Sequence, residues 1–216
     1  MPNIRMIWWD YGRVLFDHLT DIFVEDLAAL SEPRLKPYEV YAKIHASGVV
    51  RRYDAGLSST EEFMREMETL FGFENRGQFI ALWHRILQPN RLAWKIVMGL
   101  CRNGYPQGVI SNTNEMQAGY IERELNCGSV MIFRPRVYSY RERVAKPDPL
   151  IWQRALELAN SEYRGRQPFL PEEFVFVDDL AENVDGALAC GWHAIHHNPG
   201  FVNATLAKLA ELDVRL

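Results

Sequence analysis

Apolar residues along this chain follow two rhythms. Short, mostly apolar runs occur at residues 4–9, 107–110, 174–177 and 193–196. Each is brief, rich in β-branched or aromatic residues, and bounded by turn-forming or charged residues, which predicts buried strands. "VMIF", residues 130–133, is a weaker fifth. Between the later runs the spacing lengthens to the helical period. "EMQAGYIEREL" follows the second run, and "PLIWQRALELAN" places Leu150, Ile151, Ala155, Leu156 and Leu158 toward one face. "AENVDGALACG" ends at Gly191, a predicted helix C-cap. Strands alternating with helices predict an α/β fold, with a Rossmann-like parallel sheet sandwiched by helices.

The alternation breaks once. From about His18 to Arg91 the pattern predicts no strand. "DIFVEDLAAL", "YEVYAKIHAS", "TEEFMREMETLFG" and "RGQFIALWHRIL" all carry helical spacing. Ser59 or Thr60 ahead of Glu61 and Glu62 reads as an N-cap. Pro33, Pro37 and Pro89 mark breaks, and Gly56 and Gly72 mark turns. A helical bundle over residues 17–91 is therefore expected as an insert into a core made of residues 1–16 and 92–216. Hanging over the end of the first strand, it is placed to act as a lid.

Composition adds limits. The 216 residues are 48% hydrophobic and 24% charged, which fits a globular protein with a proper core. The net charge of −4 gives no global attraction to nucleic acid or to an anionic membrane. Cys101, Cys127 and Cys190 lack metal-site spacing and are expected as buried free thiols in a reducing compartment. The N-terminal apolar run is too short for a signal peptide, and no stretch reaches the ~20 apolar residues of a membrane span. A cytoplasmic protein, monomeric or homodimeric, is the expectation.

The chemistry sits at strand ends. The first strand runs into Asp10, the second into Ser111, Asn112, Thr113 and Asn114, and the run at 174–177 into Asp178 and Asp179. In a parallel sheet these carboxyl ends share one edge, where open α/β sheets bind ligands. Singly, each has an ordinary explanation. Asp10 before Tyr-Gly is turn punctuation, the Asn-rich loop caps a helix, the acidic pair complements a helix dipole, and Lys146 is a solvated lysine. Together, paired carboxylates suit a hard divalent cation. A hydroxyl, an amide and a fixed ammonium suit a phosphate group. The combination points to phosphoryl transfer.

In order and spacing, "WWDYGRVLFD", "GVISNTNE", "VAKPDPLIWQRAL" and "FVFVDDLAENVDGALACGW" resemble the four motifs of the haloacid dehalogenase-like (HAD) hydrolase superfamily. The resemblance covers nearly the whole chain and is closest to the branch that contains bacterial glucose-1-phosphate phosphatase. It implies a HAD core with a small helical cap. It implies Asp10 as the nucleophile, and Mg²⁺ held by Asp10, the Gly12 carbonyl and Asp179, with Asp178 a ligand or an outer partner. Ser111 and Asn112 would hold the phosphoryl oxygens of a small phosphorylated metabolite. Lys146 would balance their charge, and Asn183 would orient the acidic pair or a metal-bound water.

One position departs from the superfamily's pattern. Most of its phosphatases carry a second aspartate two residues after the nucleophile, to protonate the leaving group. Here that residue is Gly12. Either the substrate needs little protonation, as with a sugar 1-phosphate, or another group substitutes: Asp178, Asp17, His18, His45 or Asp54. The alternatives on the same scaffold are a 2-haloacid dehalogenase and a catalytically weak binding protein. A receiver-type signalling module has its acidic pair after the first strand and no helical insert. The basic run "FRPRVYSYRERVAK" reads as a solvated loop that could draw anions to the edge.

Overall fold

Both faces of the central strand are apolar, and that decides the architecture. In the computed structural model, which describes residues 2–123 and 132–216, β1 (Met6–Trp9) is wholly buried. Ile7 and Trp9 point into one core, and Met6 and Trp8 into another. A strand covered on both sides is typical of a parallel sheet with helices on each face.

The sheet has five strands in the order β5-β4-β1-β6-β7, with β4 at Gln107–Ser111, β5 at Phe133–Tyr138, β6 at Phe174–Asp178 and β7 at His193–His196. Every pairing is parallel. The order reverses around β1, which puts the switch point beside Asp10. On one face lie helices α6 (Arg91–Arg102), α7 (Glu115–Arg123) and Val202–Glu211. On the other lie Pro149–Glu162 and Ala181–Ala189. Trp8, Phe174, Trp152 and Trp192 form an aromatic knot under the second face.

The helical insert is α1 (Thr20–Leu30), α2 (Pro37–Ser47), α3 (Val49–Asp54), α4 (Thr60–Phe71) and α5 (Arg76–Arg85). These helices bury their own cluster around Phe63, Phe79 and Trp83. Ser59 is the N-cap of α4, in a reciprocal capping box with Glu62. Most of the aromatics of this segment are core, but Tyr38 and Tyr41 are exposed.

Several expectations need correction. The insert is entered and left through a short antiparallel ribbon, β2 (Phe16–His18) with β3 (Leu87–Pro89), in a region read as strandless. Three-residue strands are too short to show a period. α3 follows α2 directly through the left-handed Gly48 and adds a helix to the insert. The described fifth strand is Phe133–Tyr138, which shares only Phe133 with "VMIF" and runs through the segment read as a basic loop. Val130 and Met131 of "VMIF" lie outside the described residues, as do Cys127 and the last two residues, 124 and 125, of the predicted helix after β4. Leu150 is exposed, and the buried face of its helix runs through Ile151, Trp152, Ala155 and Ala159. Cys101 is exposed and Cys190 only half-buried, so neither is a core thiol. Among the described residues, no helix is long and apolar enough to cross a membrane.

Candidate active site

Strand order sets the site. Asp10 follows the central strand and still donates its N–H to Val177 O (3.0 Å), so it is held in the sheet rather than released into a turn. Ser111 ends β4 on one side, and Asp178 ends β6 on the other. Carboxylate oxygens of Asp10, Asp178 and Asp179 lie within 4.8 Å of one another.

Lys146 is the counter-charge. Its Nζ lies 2.8 Å from Asp10 Oδ1 and 2.6 Å from Asp178 Oδ2, with the ammonium itself buried. A buried charge of this kind persists only when paired. Burial works against the charged lysine, but Asp10 and Asp178 outweigh it and hold its pKa above the ordinary value. Burial pushes the Asp10 carboxyl up to about 6 against the opposing Lys146 charge; Asp178 adds to the rise and Ser111 opposes it. Burial, with Asp178 beside it, also raises Asp179, which pairs with the exposed Arg13 guanidinium at 3.3 Å.

The two acidic neighbours differ. Asp178 is fully buried and accepts four hydrogen bonds, from Leu180 N, twice from Asn183 Nδ2, and from Lys146 Nζ. Its oxygens are committed to holding Lys146 and the following helix. Asp179 has no such set, so of the pair it is the freer to meet a ligand. The Asn183 amide donates to both carboxylate oxygens of Asp178, at 3.0 and 3.1 Å.

Asn112 sits in the expected loop, but its side chain is taken up elsewhere. Its Nδ2 donates to Lys146 O (2.9 Å), and its Oδ1 accepts from Lys146 N (2.8 Å). The amide thus fixes the lysine loop, while the Ser111 hydroxyl bonds the Asp10 carboxylate.

Two residues escaped the sequence reading. Asn114 is fully buried and bonds Asp54 Oδ1 (2.8 Å), Gln117 and Trp83, so it ties the loop after β4 to the helical insert. Ser139 bonds Thr113 on both its N–H and its C=O, and its hydroxyl also donates to Asp54 O. Asn114 lay in the quoted motif without a role, and Ser139 gave no signal at all. Three arginines of the basic run are paired, Arg134 with Glu162 and both Arg136 and Arg141 with Glu122, while Arg143 is exposed.

Two adjoining cavities of about 320 and 420 Å³ open beside this edge, sharing Ile44, His45, Val50, Asp54 and Asn112. The first is walled by apolar side chains of the insert, among them Phe23, Val24 and Trp83. The second reaches Ala145, next to Lys146.

No protein-family model and no curated protein sequence matches the chain. Solved structures do. A HAD family enzyme from Bacteroides thetaiotaomicron superposes with a TM-score of 0.80 at 22% identity, over 94% of this chain and 98% of that one. The same enzyme in complex with magnesium and inorganic phosphate gives 0.77 at 22% identity, over 91% and 96%. A predicted HAD-like family hydrolase from Porphyromonas gingivalis gives 0.77 at 23%, over 96% and 98%. L-2-haloacid dehalogenase from Xanthobacter autotrophicus gives 0.57 at 19%, over 88% and 76%. The chain therefore has the α/β fold of HAD enzymes.

Proposed function

We propose that this chain is a Mg²⁺-dependent hydrolase that removes phosphate from a small phosphorylated metabolite through an aspartyl-phosphate on Asp10. One observation carries the proposal: three carboxylates gathered within 4.8 Å at the sheet switch point, with the Lys146 ammonium bridging two of them. The likeness to an enzyme crystallised with magnesium and inorganic phosphate supports it.

The donor set fits the metal. It is all oxygen and bears a net negative charge, as a hard divalent cation requires. Asp10, the Gly12 carbonyl and Asp179 would hold it, with Asp178 close behind. When bound, Mg²⁺ neutralises charge so that a phosphate dianion can approach a carboxylate. Asp10 attacks phosphorus as its carboxylate, and the ester P–O bond breaks. The Ser111 hydroxyl holds a phosphoryl oxygen, with Asn112 keeping Lys146 in place. Lys146 balances charge as it accumulates. Water then attacks phosphorus, freeing Asp10 and inorganic phosphate. The insert over residues 17–91 acts as the cap that bounds the leaving-group side. A sugar 1-phosphate belongs to the substrate class because its anomeric oxygen leaves with little help from an acid.

The test is phosphate release from sugar, nucleotide and organic-acid phosphates, with and without Mg²⁺, by wild type and Asp10→Asn. Release that needs Mg²⁺ and is lost in Asp10→Asn is expected. A second function, a 2-haloacid dehalogenase, is motivated by the fold likeness to the Xanthobacter enzyme. The crowded acidic cluster argues against it, since attack on carbon needs no cation. Chloride release from a 2-haloacid without Mg²⁺, beside inert phosphate esters, would replace the phosphatase assignment.

A further inference from the structure

The proposed chemistry leaves one proton without a donor. An alkoxide is a poor leaving group, and a positioned acid typically contributes 10²–10⁴-fold to its departure. Gly12 offers none, and two other candidates, Asp178 and Asp17, are engaged. Asp178 is saturated with hydrogen bonds and bound to Lys146. Asp17 is exposed and accepts from Asn90 Nδ2.

Asp54 is placed differently. It ends α3, in the insert, yet it lines both cavities beside Asn112. Its position is fixed from the core side at two points: Asn114 Nδ2 donates to Oδ1, and the Ser139 hydroxyl donates to its backbone carbonyl. Among the described residues no hydrogen bond reaches Oδ2. The residue is half-buried, and the surface it keeps belongs to the cavity walls. Of the other titratable groups nearby, His18 and His45 line the first cavity, Arg51 lines the second, and Tyr53 is bound to Thr60. Among the described residues none of these forms a hydrogen bond or ion pair with the Asp54 carboxyl, although Tyr53 feels its charge. Burial pushes that carboxyl up to about 7, against the Asn114 hydrogen bond, so about half of it carries a proton at neutral pH.

We propose that Asp54 is the proton donor to the leaving group, acting from the insert on a monoester whose alcohol part lies in the apolar cavity beneath α1, α2 and α5. This rests on the phosphatase assignment above. With phosphorus at Asp10, the alcohol part reaches the cavity past Asn112, along the wall that Asp54 supplies. As the P–O bond breaks, its electron pair goes to the bridging oxygen, which takes the Asp54 proton, and a neutral alcohol departs. Asp54, now a carboxylate, takes a proton from the water that attacks the aspartyl-phosphate. That step returns the acid and releases inorganic phosphate. The acid would thus sit on the element that selects the substrate.

The decisive measurement is kcat/KM across a series of phosphate monoesters, from hexyl phosphate to p-nitrophenyl phosphate, on wild type and Asp54→Asn with Mg²⁺. Asn retains an oxygen to accept from Asn114. In wild type, the rate should depend little on leaving-group acidity. In Asp54→Asn, hexyl phosphate should fall by roughly 10²-fold or more while p-nitrophenyl phosphate, whose phenolate needs no proton, stays within about threefold. Equal losses on both esters would make Asp54 a positioning residue, loss on neither would leave it without a role, and either result would overturn the proposal. So would a steep leaving-group dependence in wild type alone, which requires no variant to fold. A wild type no faster than Asp10→Asn on every ester would remove the phosphatase assignment, and this proposal with it.

Discussion

At Gly12 the backbone makes no demand for glycine. Its φ is not left-handed, and a Cβ there would meet only Asp10 Oδ2, at an ordinary 3.8 Å. The absent side chain is therefore a feature of the chemistry, not of the turn, whose sharp point falls instead on Arg13 at φ 56°. An aspartate should fit. Gly12→Asp placed in the Asp54→Asn background is expected to restore hydrolysis of hexyl phosphate by at least about tenfold, because the new carboxyl supplies the acid from the core side. Steady-state kinetics on the double variant check this; no recovery, with the fold intact by circular dichroism, would mean that an acid at position 12 does not reach the bridging oxygen. Lys146 shows the complementary point. Its value to the site lies in two contacts, to Asp10 and Asp178, that no local pattern around "AKPDP" foretells.

Elements bring Asp54 to its place, and Gly56 is the joint. The turn after α3 packs directly on the short helix Ser139–Glu142: Gly56 has φ 68°, and a Cβ would lie 2.2 Å from Tyr140 O. Gly56→Ala therefore combines left-handed strain with a backbone clash. Gly104, at φ 78° with nothing within 4 Å, carries the strain alone. Gly104→Ala is expected to cost about 1 kcal/mol, and Gly56→Ala clearly more, read as urea midpoints with unchanged slopes. Equal midpoints would mean that the turn relaxes away from Tyr140. The same scale shows why some elements were legible and others not. Runs buried on both faces, such as β1 and β6, are apolar throughout and announce themselves. β5 hides because Arg134 and Arg136 lie in the strand, each paired to a glutamate on a flanking helix. β2 and β3 exist only because they pair with each other. Of the site, Asp10, Ser111, Asp178 and Asp179 were readable because parallel strands end on one edge. The redirection of the Asn112 amide to Lys146, and the role of Asn114 as a tie to the insert, are tertiary facts that no spacing encodes.

Taken whole, the molecule is two separately packed bodies, and the proposed site lies beside their junction. The core buries its strands between helices, and the insert buries its own aromatic cluster. They are joined by the β2–β3 ribbon and by polar ties through Asn114 and Ser139. The acidic cluster lies beside that junction, and without a cation it brings like charges close, which opposes compaction. A cation bound by the folded state alone stabilises by RT ln(1 + [L]/Kd), about 2.7 kcal/mol at a hundredfold excess over Kd. For a chain of this length each kcal/mol is worth roughly 2–4 °C. Saturating Mg²⁺ is therefore expected to raise the melting temperature by roughly 5–10 °C. The gain should shrink in Asp179→Asn, because Asp179 is the acid of the pair with the freer oxygens, and it should persist in Asp54→Asn, which lies on the other body. A Mg²⁺ response in Asp179→Asn equal to that of wild type would place the cation somewhere other than the strand-end cluster. Loss of the response in Asp54→Asn would mean that the insert, rather than the sheet edge, holds the metal.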